Sequence, residues 1–431
     1  MTGAAVPLTS CLRVVSLAAG AVPLGCMTIA WIIFGLTYLV LLIGEFPGFR
    51  IYRTSAAMIG AVSMVLCGVV PADDLLAAID FPTLVLLFSM MIVAASLRLC
   101  GAFRWLADVV LHRAARPYLL LAVVIGLSGV LSAVFVNDIV CLVLTPLLLE
   151  VVRSLRRNPV PYLIALAVAA NIGSTATVIG NPQNMIIGSL SGLSYRAFAA
   201  ALALPALAGL AIAYVVVALV CRRALHEGAD GAPPRRGRSR VHRWLVLKNG
   251  GITLLLLIAL VAGAPIALSA AAAAAWMLCT RRVKPAKVFA LVDWELLVLF
   301  TGLFVVVGGV EQAGLNAWVH AQLVASPAVL SDGWFAVASV ALSNLVSNVP
   351  AVLLLKQAIP AFADHEHAWL VLALTSTLAG NLTIPGSVAN LIVIEAARRG
   401  GVHIGPVTYM RVGVPLTILT IMVGMLILEV M

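Results

Sequence analysis

The chain has 431 residues, of which 63% are hydrophobic and only 10% charged, with a mean hydropathy of +1.12. Soluble domains carry about a quarter charged residues, so this composition excludes a soluble globular protein and indicates a polytopic membrane protein. The formal net charge of +10 raises nucleic acid as a partner, and the placement of the basic residues decides against it.

Residues 1–26 form an N-terminal extension. Arg13 is its only positive charge, and Pro7 and Pro23 interrupt it, which argues against a secretory signal. Apolar runs near the ~20 residues needed to span a bilayer then recur. A first repeat, residues 27–220, is predicted to cross at 27–43, 54–70, 81–99, 161–190 and 198–220. Residues 221–248 form a basic linker, and a second repeat, 249–431, crosses at 249–264, 266–280, 293–312, 368–395 and 412–430. Two further apolar stretches, 118–150 and 334–363, break at Asn137-Asp138 and Ser347-Asn348. Their arms read as too short for a comfortable span, so each is predicted to be a re-entrant hairpin. The fold class is therefore an all-α polytopic membrane protein with two repeats of five crossings, each carrying a hairpin and a broken helix. Residues 100–116, with Arg104, His112 and Arg113 among apolar neighbours, read as an amphipathic interfacial helix.

With this layout all but three of the 27 basic residues fall on one face, the exceptions being Arg13, Arg196 and Lys356. The positive-inside rule makes that face cytoplasmic and the C-terminus periplasmic. The charge thus reports topology and lipid headgroups, with no nucleic-acid partner. An odd number of crossings per half inverts the second repeat relative to the first. Sequence echoes give the register: Asp80-Phe81 matches Asp293-Trp294, and Gly101 falls on Gly314. Ser132 and Asn137 fall on Ser343 and Asn348, while Thr177, Gly180 and Asn184 fall on Thr383, Gly386 and Asn390.

Polar residues and helix breakers at membrane depth mark cavities, and their recurrence in two halves marks a transporter's substrate site. Asn137, Ser347 and Asn348 occupy the hairpin tips. Gly173, Gly180 and Pro182 break one span and Gly380, Pro385 and Gly386 the other. Thr175, Thr177, Asn181, Asn184, Asn381, Thr383, Ser387 and Asn390 present hydroxyls and amides for a solute. The rival reading, that these groups cap hairpins and pack helices, stays open. Asp138, the carboxylate placed nearest the membrane centre, is the candidate coupling residue for Na⁺ or H⁺; a structural carboxylate satisfied by backbone N–H groups is its alternative. The seven cysteines show neither paired nor metal-ligand spacing, and no phosphate-binding loop is present. No metal, organic cofactor, ATP hydrolysis or enzymatic activity is expected.

The segment ending Gly180-Asn181-Pro182-Gln183-Asn184, with the tips Asn137-Asp138 and Ser347-Asn348-Val349-Pro350, resembles the ion transporter superfamily. The likeness is to its arsenite permease and citrate-transporter-like branch, and within it to bacterial anion transporter permeases. That resemblance implies a homodimeric inner-membrane carrier working by an elevator-like motion. It implies ion-coupled transport of a small inorganic anion or oxyacid, with arsenite or antimonite efflux the specific expectation. Sodium- or proton-coupled di- or tricarboxylate transport is the alternative, and a non-transporting membrane scaffold or an intramembrane hydrolase is the reading from another class. The dicarboxylate carriers have Ser-Asn-Thr at both tips, whereas this chain has Val136-Asn137-Asp138 and Ser347-Asn348-Val349.

Overall fold

A computed structural model describes residues 24–43, 52–111, 116–227, 242–315 and 331–431. The N-terminal extension up to residue 23, the middle of the linker at 228–241, and His112 and Arg113 lie outside the described residues. In the first half the helices are α1 (Leu24–Ile43), α2 (Arg53–Leu66), α3 (Phe81–Cys100), α4 (Ala102–Leu111), α5 (Pro117–Val134), α6 (Asn137–Ser154), α7 (Val160–Ser174), α8 (Pro182–Leu190), α9 (Tyr195–Val220) and the short α10 (Arg222–His226). The second half has α11 (Arg243–Val261), α12 (Ile266–Leu278), the short α13 (Pro285–Phe289), α14 (Trp294–Gln312), α15 (Asp332–Val346), α16 (Asn348–Leu355), α17 (His365–Ala379), α18 (Val388–Arg399) and α19 (Pro406–Val430). Both halves run through a helix pair, a third helix, a helical hairpin, a broken helix and a long last helix. Gly101 and Gly314, matched by sequence, both take positive φ, 83° and 93°.

Among the described residues six helices (α3, α5, α9, α11, α14 and α19) are long and apolar enough to cross a membrane. One of them corrects an expectation. The first arm of the first hairpin, α5, has 18 residues, about 27 Å at 1.5 Å per residue, so it is not too short to span. It ends because Phe135 and Val136 are not helical, and the chain re-enters as α6 at Asn137. The second hairpin is shorter, with arms of 15 and 8 residues. Helix α2 stops at Leu66, short of the predicted 70, since Gly68 follows at φ 70° and donates its N–H to Val65 O at 3.0 Å. A left-handed glycine just past a helix satisfies its last carbonyls. Helix α11 starts at Arg243, so the end of the expected linker is helical. Lys248 donates from α11 to the carbonyls of Trp276 and Cys279, 3.0 and 2.6 Å away, at the C-terminus of α12, where a cation complements the helix dipole.

The chain forms two compact units, Met1–Asp80 with Glu295–Ala325, and Phe81–Trp294 with Ser326–Met431. Each draws on both halves of the sequence. In the first unit Met64, Val70, Val306 and Val310 lie in a buried apolar cluster. Gly302 there lets α14 approach α2 closely, since a Cβ at that position would sit 2.7 Å from the Ala57 carbonyl carbon.

The second unit holds the hairpins and both broken helices. Helix α7 packs on α5 through Gly173, whose missing Cβ would collide with the Gly129 carbonyl and Cα. Ser128, beside it, returns its hydroxyl to Val124 O at 2.6 Å and behaves as a packing residue. The long helices α9 and α19 pack together, and α17 contacts both. Pieces of the two halves meet directly, with α7 against α17 and α18, and α8 against α16 and α17.

Candidate substrate site at the two broken helices

The first break is written locally. Asn181 precedes Pro182, and a residue before proline is driven to extended geometry; it has φ −155° and ψ 161°. Its Oδ1 then accepts the N–H of Asn184 at 2.8 Å as the N-cap of α8, with proline at the first helical position. At the second break Thr383 and Ser387 are extended on either side of a 3₁₀ turn through Pro385, and the Ser387 hydroxyl accepts the Ala389 N–H at 3.2 Å. Gly180 and Gly386 lie against neighbours that leave no room for a side chain.

The polar side chains meet one another. Asn137 donates to Asn171 Oδ1 at 2.9 Å, and Ser387 donates to the same oxygen at 2.9 Å. Asn171 in turn donates to Asn381 Oδ1 at 3.0 Å and Asn390 Oδ1 at 3.1 Å. Asn181 donates to Ser174 Oγ at 2.9 Å and Thr377 Oγ1 at 3.3 Å, and Thr377 donates to Asn184 Oδ1 at 3.3 Å. Asn348, its amide oriented to satisfy both groups, donates to Ser376 O at 3.3 Å and Gly386 O at 3.2 Å and accepts from Gln183 Nε2 at 3.3 Å. Ser174 bonds the backbone oxygen of Asn171, which joins the two clusters. Asn137, Asn171, Asn181, Asn184, Asn348, Asn381, Ser387 and Asn390 are all buried.

The bonds repeat in a fixed register. Asn184 donates to Ser174 O and Thr177 O, both at 3.1 Å, and Asn390 donates to Gly380 O at 2.7 Å and Thr383 O at 3.1 Å. The exchange is reciprocal as well. Asn171 of the first half donates to Asn390 of the second, while Thr377, the counterpart of Asn171, donates to Asn184. The matched triplets Thr177, Gly180, Asn184 and Thr383, Gly386, Asn390 therefore share environments as well as sequence.

Two threonines turn to backbone, Thr175 to Asn171 O at 3.3 Å and Thr177 to Ala133 O at 2.6 Å. Asp138 is half-buried one residue beyond Asn137, and its N–H donates to Asn137 Oδ1 at 3.0 Å. Among the described residues no donor or cation sits on its carboxylate. The network consists of neutral amides and hydroxyls, and the N-termini of α6, α8, α16 and α18 all contribute to it, each carrying partial positive charge. Chemically, this array offers many paired donors and acceptors to a small polar solute, and among the described residues its hydrogen bonds involve no cationic side chain.

The sequence profile of the citrate transporter family (CitMHS) matches residues 29–379. The chain belongs to this family. Among curated relatives of this citrate-transporter member, the silicon efflux transporter LSI3 of Oryza sativa subsp. japonica is 31% identical, over 91% of this chain and 95% of that one. The putative transporter arsB of Dictyostelium discoideum is 25% identical over 86% of each. In fold it is similar to the YdaH transporter of Alcanivorax borkumensis, with a TM-score of 0.58 at 16% identity, covering 95% of this chain and 98% of that one. The citrate-transporter member is a secondary transporter and not an enzyme.

Its network also includes residues outside the predicted set. Asn171 and Gln183 lie within the first motif, and their amide chemistry was the available signal. Ser174, Thr377 and Asn344 resemble ordinary helix-interior polar residues, and nothing local separates them from Thr375 or Ser339. Lys356 lies in a 3₁₀ turn after α16, outside the bonds described above.

Proposed function

We propose that this protein is an ion-coupled exporter of a small, weakly ionised polyhydroxy oxyacid of the silicic or arsenous acid class. The observation that carries this reading is the buried array of amides and hydroxyls, whose hydrogen bonds among the described residues involve no basic side chain. Each hydroxyl of such a solute is both donor and acceptor, as are the amides that would receive it. A di- or tricarboxylate brings two or three charges into a site that offers only helix termini, and uncompensated charge at membrane depth is costly. Two relatives, a silicon efflux transporter and a putative arsB transporter, point the same way.

In this reading Asn137, Asn181, Asn184, Asn348, Asn381, Thr383, Ser387 and Asn390 exchange their mutual bonds for bonds to the solute. Asp138 carries the driving proton, or binds Na⁺ in its place. The repeats are inverted, the carrier is an inner-membrane homodimer with a periplasmic C-terminus, and transport proceeds by an elevator-like motion. The test is counterflow in proteoliposomes with silicic acid, arsenite and citrate offered separately. Exchange of the oxyacids with none of citrate supports the assignment, and citrate exchange alone replaces it with carboxylate transport. Asn137→Ala and Asn348→Ala should each reduce flux while the protein still folds; a stable variant with unaltered flux removes that residue from the site.

A further inference from the structure

The tips of the first and second hairpins, the inner and outer tips in the proposed topology, are equivalent in sequence register but are held differently. At the inner tip Val136 has ordinary geometry, φ −57°, and the Asn137 N–H donates directly to Gly180 O at 3.0 Å. At the outer tip Ser347 has φ 79° and ψ 156°, a region that residues with a Cβ occupy only under constraint. The bond from the Asn348 N–H to Gly386 O that would match the inner tip is not made; the Asn348 side chain reaches that carbonyl instead. Ser347 does not offset this with a cap, since its side chain makes no capping bond to α16.

A clamp with no counterpart in the first half sits three residues earlier. Thr177 donates to the backbone oxygen of Ala133, whereas Thr383, its match, donates to the side-chain Oδ1 of Asn344 at 2.9 Å. Asn344 occupies the register position of Ala133. Its Nδ2 donates to Ala379 O at 3.0 Å and Val340 O at 3.1 Å, so one amide ties the last turns of α15 to both sides of the second break. Gly386 makes room for it, since a Cβ there would lie 2.7 Å from Asn344 Oδ1.

We infer that Asn344 is a positioning residue for transport: it holds the outer tip in the strained geometry in which the Asn348 amide faces the site. The inner tip displays the relaxed alternative, to which the outer tip reverts when the clamp is released. This rests on the reading that the tips contact solute. If only a fraction of molecules keep the tip set, apparent affinity falls by that fraction. Asn344→Ala is therefore expected to raise the KM for silicic acid roughly tenfold with little change in maximal rate. Adding Ser347→Gly should restore KM, because glycine holds positive φ without a clamp. A residue that touches solute, or one that merely supports the fold, is not rescued in this way.

The strain itself is tested without solute. Ser347→Gly should raise the melting temperature of the purified carrier, and Val136→Gly should lower it, as glycine does at unstrained positions. Equal losses at both tips would overturn the inference, as would failure of Ser347→Gly to rescue a folded Asn344→Ala protein. An impaired Asn348→Ala carrier beside a normal Asn344→Ala carrier would sink the positioning role alone. Unaltered KM in Asn348→Ala would overturn the substrate site and this inference with it.

Discussion

Asn171 and Asn390, 219 positions apart, are joined by a buried amide hydrogen bond of 3.1 Å. That bond couples the first broken helix to the second, and Asn171 also serves Asn137, Ser387 and Asn381. One side chain thus completes contacts to the first hairpin and to the opposite break.

Asn171→Leu should therefore be among the most damaging single changes in the chain. It keeps approximate volume but strands the amide of Asn137, the Ser387 hydroxyl and two amide oxygens, at about 1–3 kcal/mol for each group left unmade. The expected result is loss of monodisperse protein in detergent, read by size-exclusion chromatography. Asn171→Asp keeps the acceptor and loses the donors. It leaves the Asn381 and Asn390 amide oxygens without their donor, so it too should lower the melting temperature, by less than Asn171→Leu.

Gly173→Ala tests the close approach of α7 and α5. The added methyl meets the backbone of Gly129, which cannot rotate away as a side chain can. Overpacking of this kind costs about 1–3 kcal/mol or more, so folded yield and melting temperature should drop sharply. Gly126→Ala, with open space around its Cβ position, is the control and should be tolerated.

Asp138→Asn separates coupling from binding. The variant mimics a permanently protonated carboxyl beside an intact tip. It should still exchange solute across a membrane with no gradient, yet fail to concentrate it when only a pH gradient is imposed. If Na⁺ is the coupling ion, the wild type requires Na⁺ at fixed pH and the variant loses that requirement. Undiminished accumulation by a folded variant places coupling elsewhere.

Topology is open to a direct assay. A reporter active only in the periplasm should work when fused after Met431 and fail when inserted within residues 228–240, because the predicted layout gathers the basic residues on the face opposite the C-terminus. The reverse pattern would overturn the inverted arrangement.

The sequence by itself determined the membrane class, the two hairpins, both breaks and the register between halves. These follow from local physics: apolar runs of spanning length, extended geometry before Pro182, and helix-breaking glycines and prolines within those runs. It also named most of the amides that meet, since Asn184 and Asn390 occupy matched motifs and make matched bonds. Only the tertiary structure decided which groups pair. Thr377 and Ser174 look like helix-packing hydroxyls until α7, α8 and α17 come together and place them between amides. The different states of the two tips were likewise invisible, because the bonds that distinguish them, Asn344 to Ala379 O and the Asn348 side chain to Gly386 O, join residues more than thirty positions apart. A motif specifies donors and acceptors, but which acceptor a donor finds is fixed by the approach of helices that are distant in sequence.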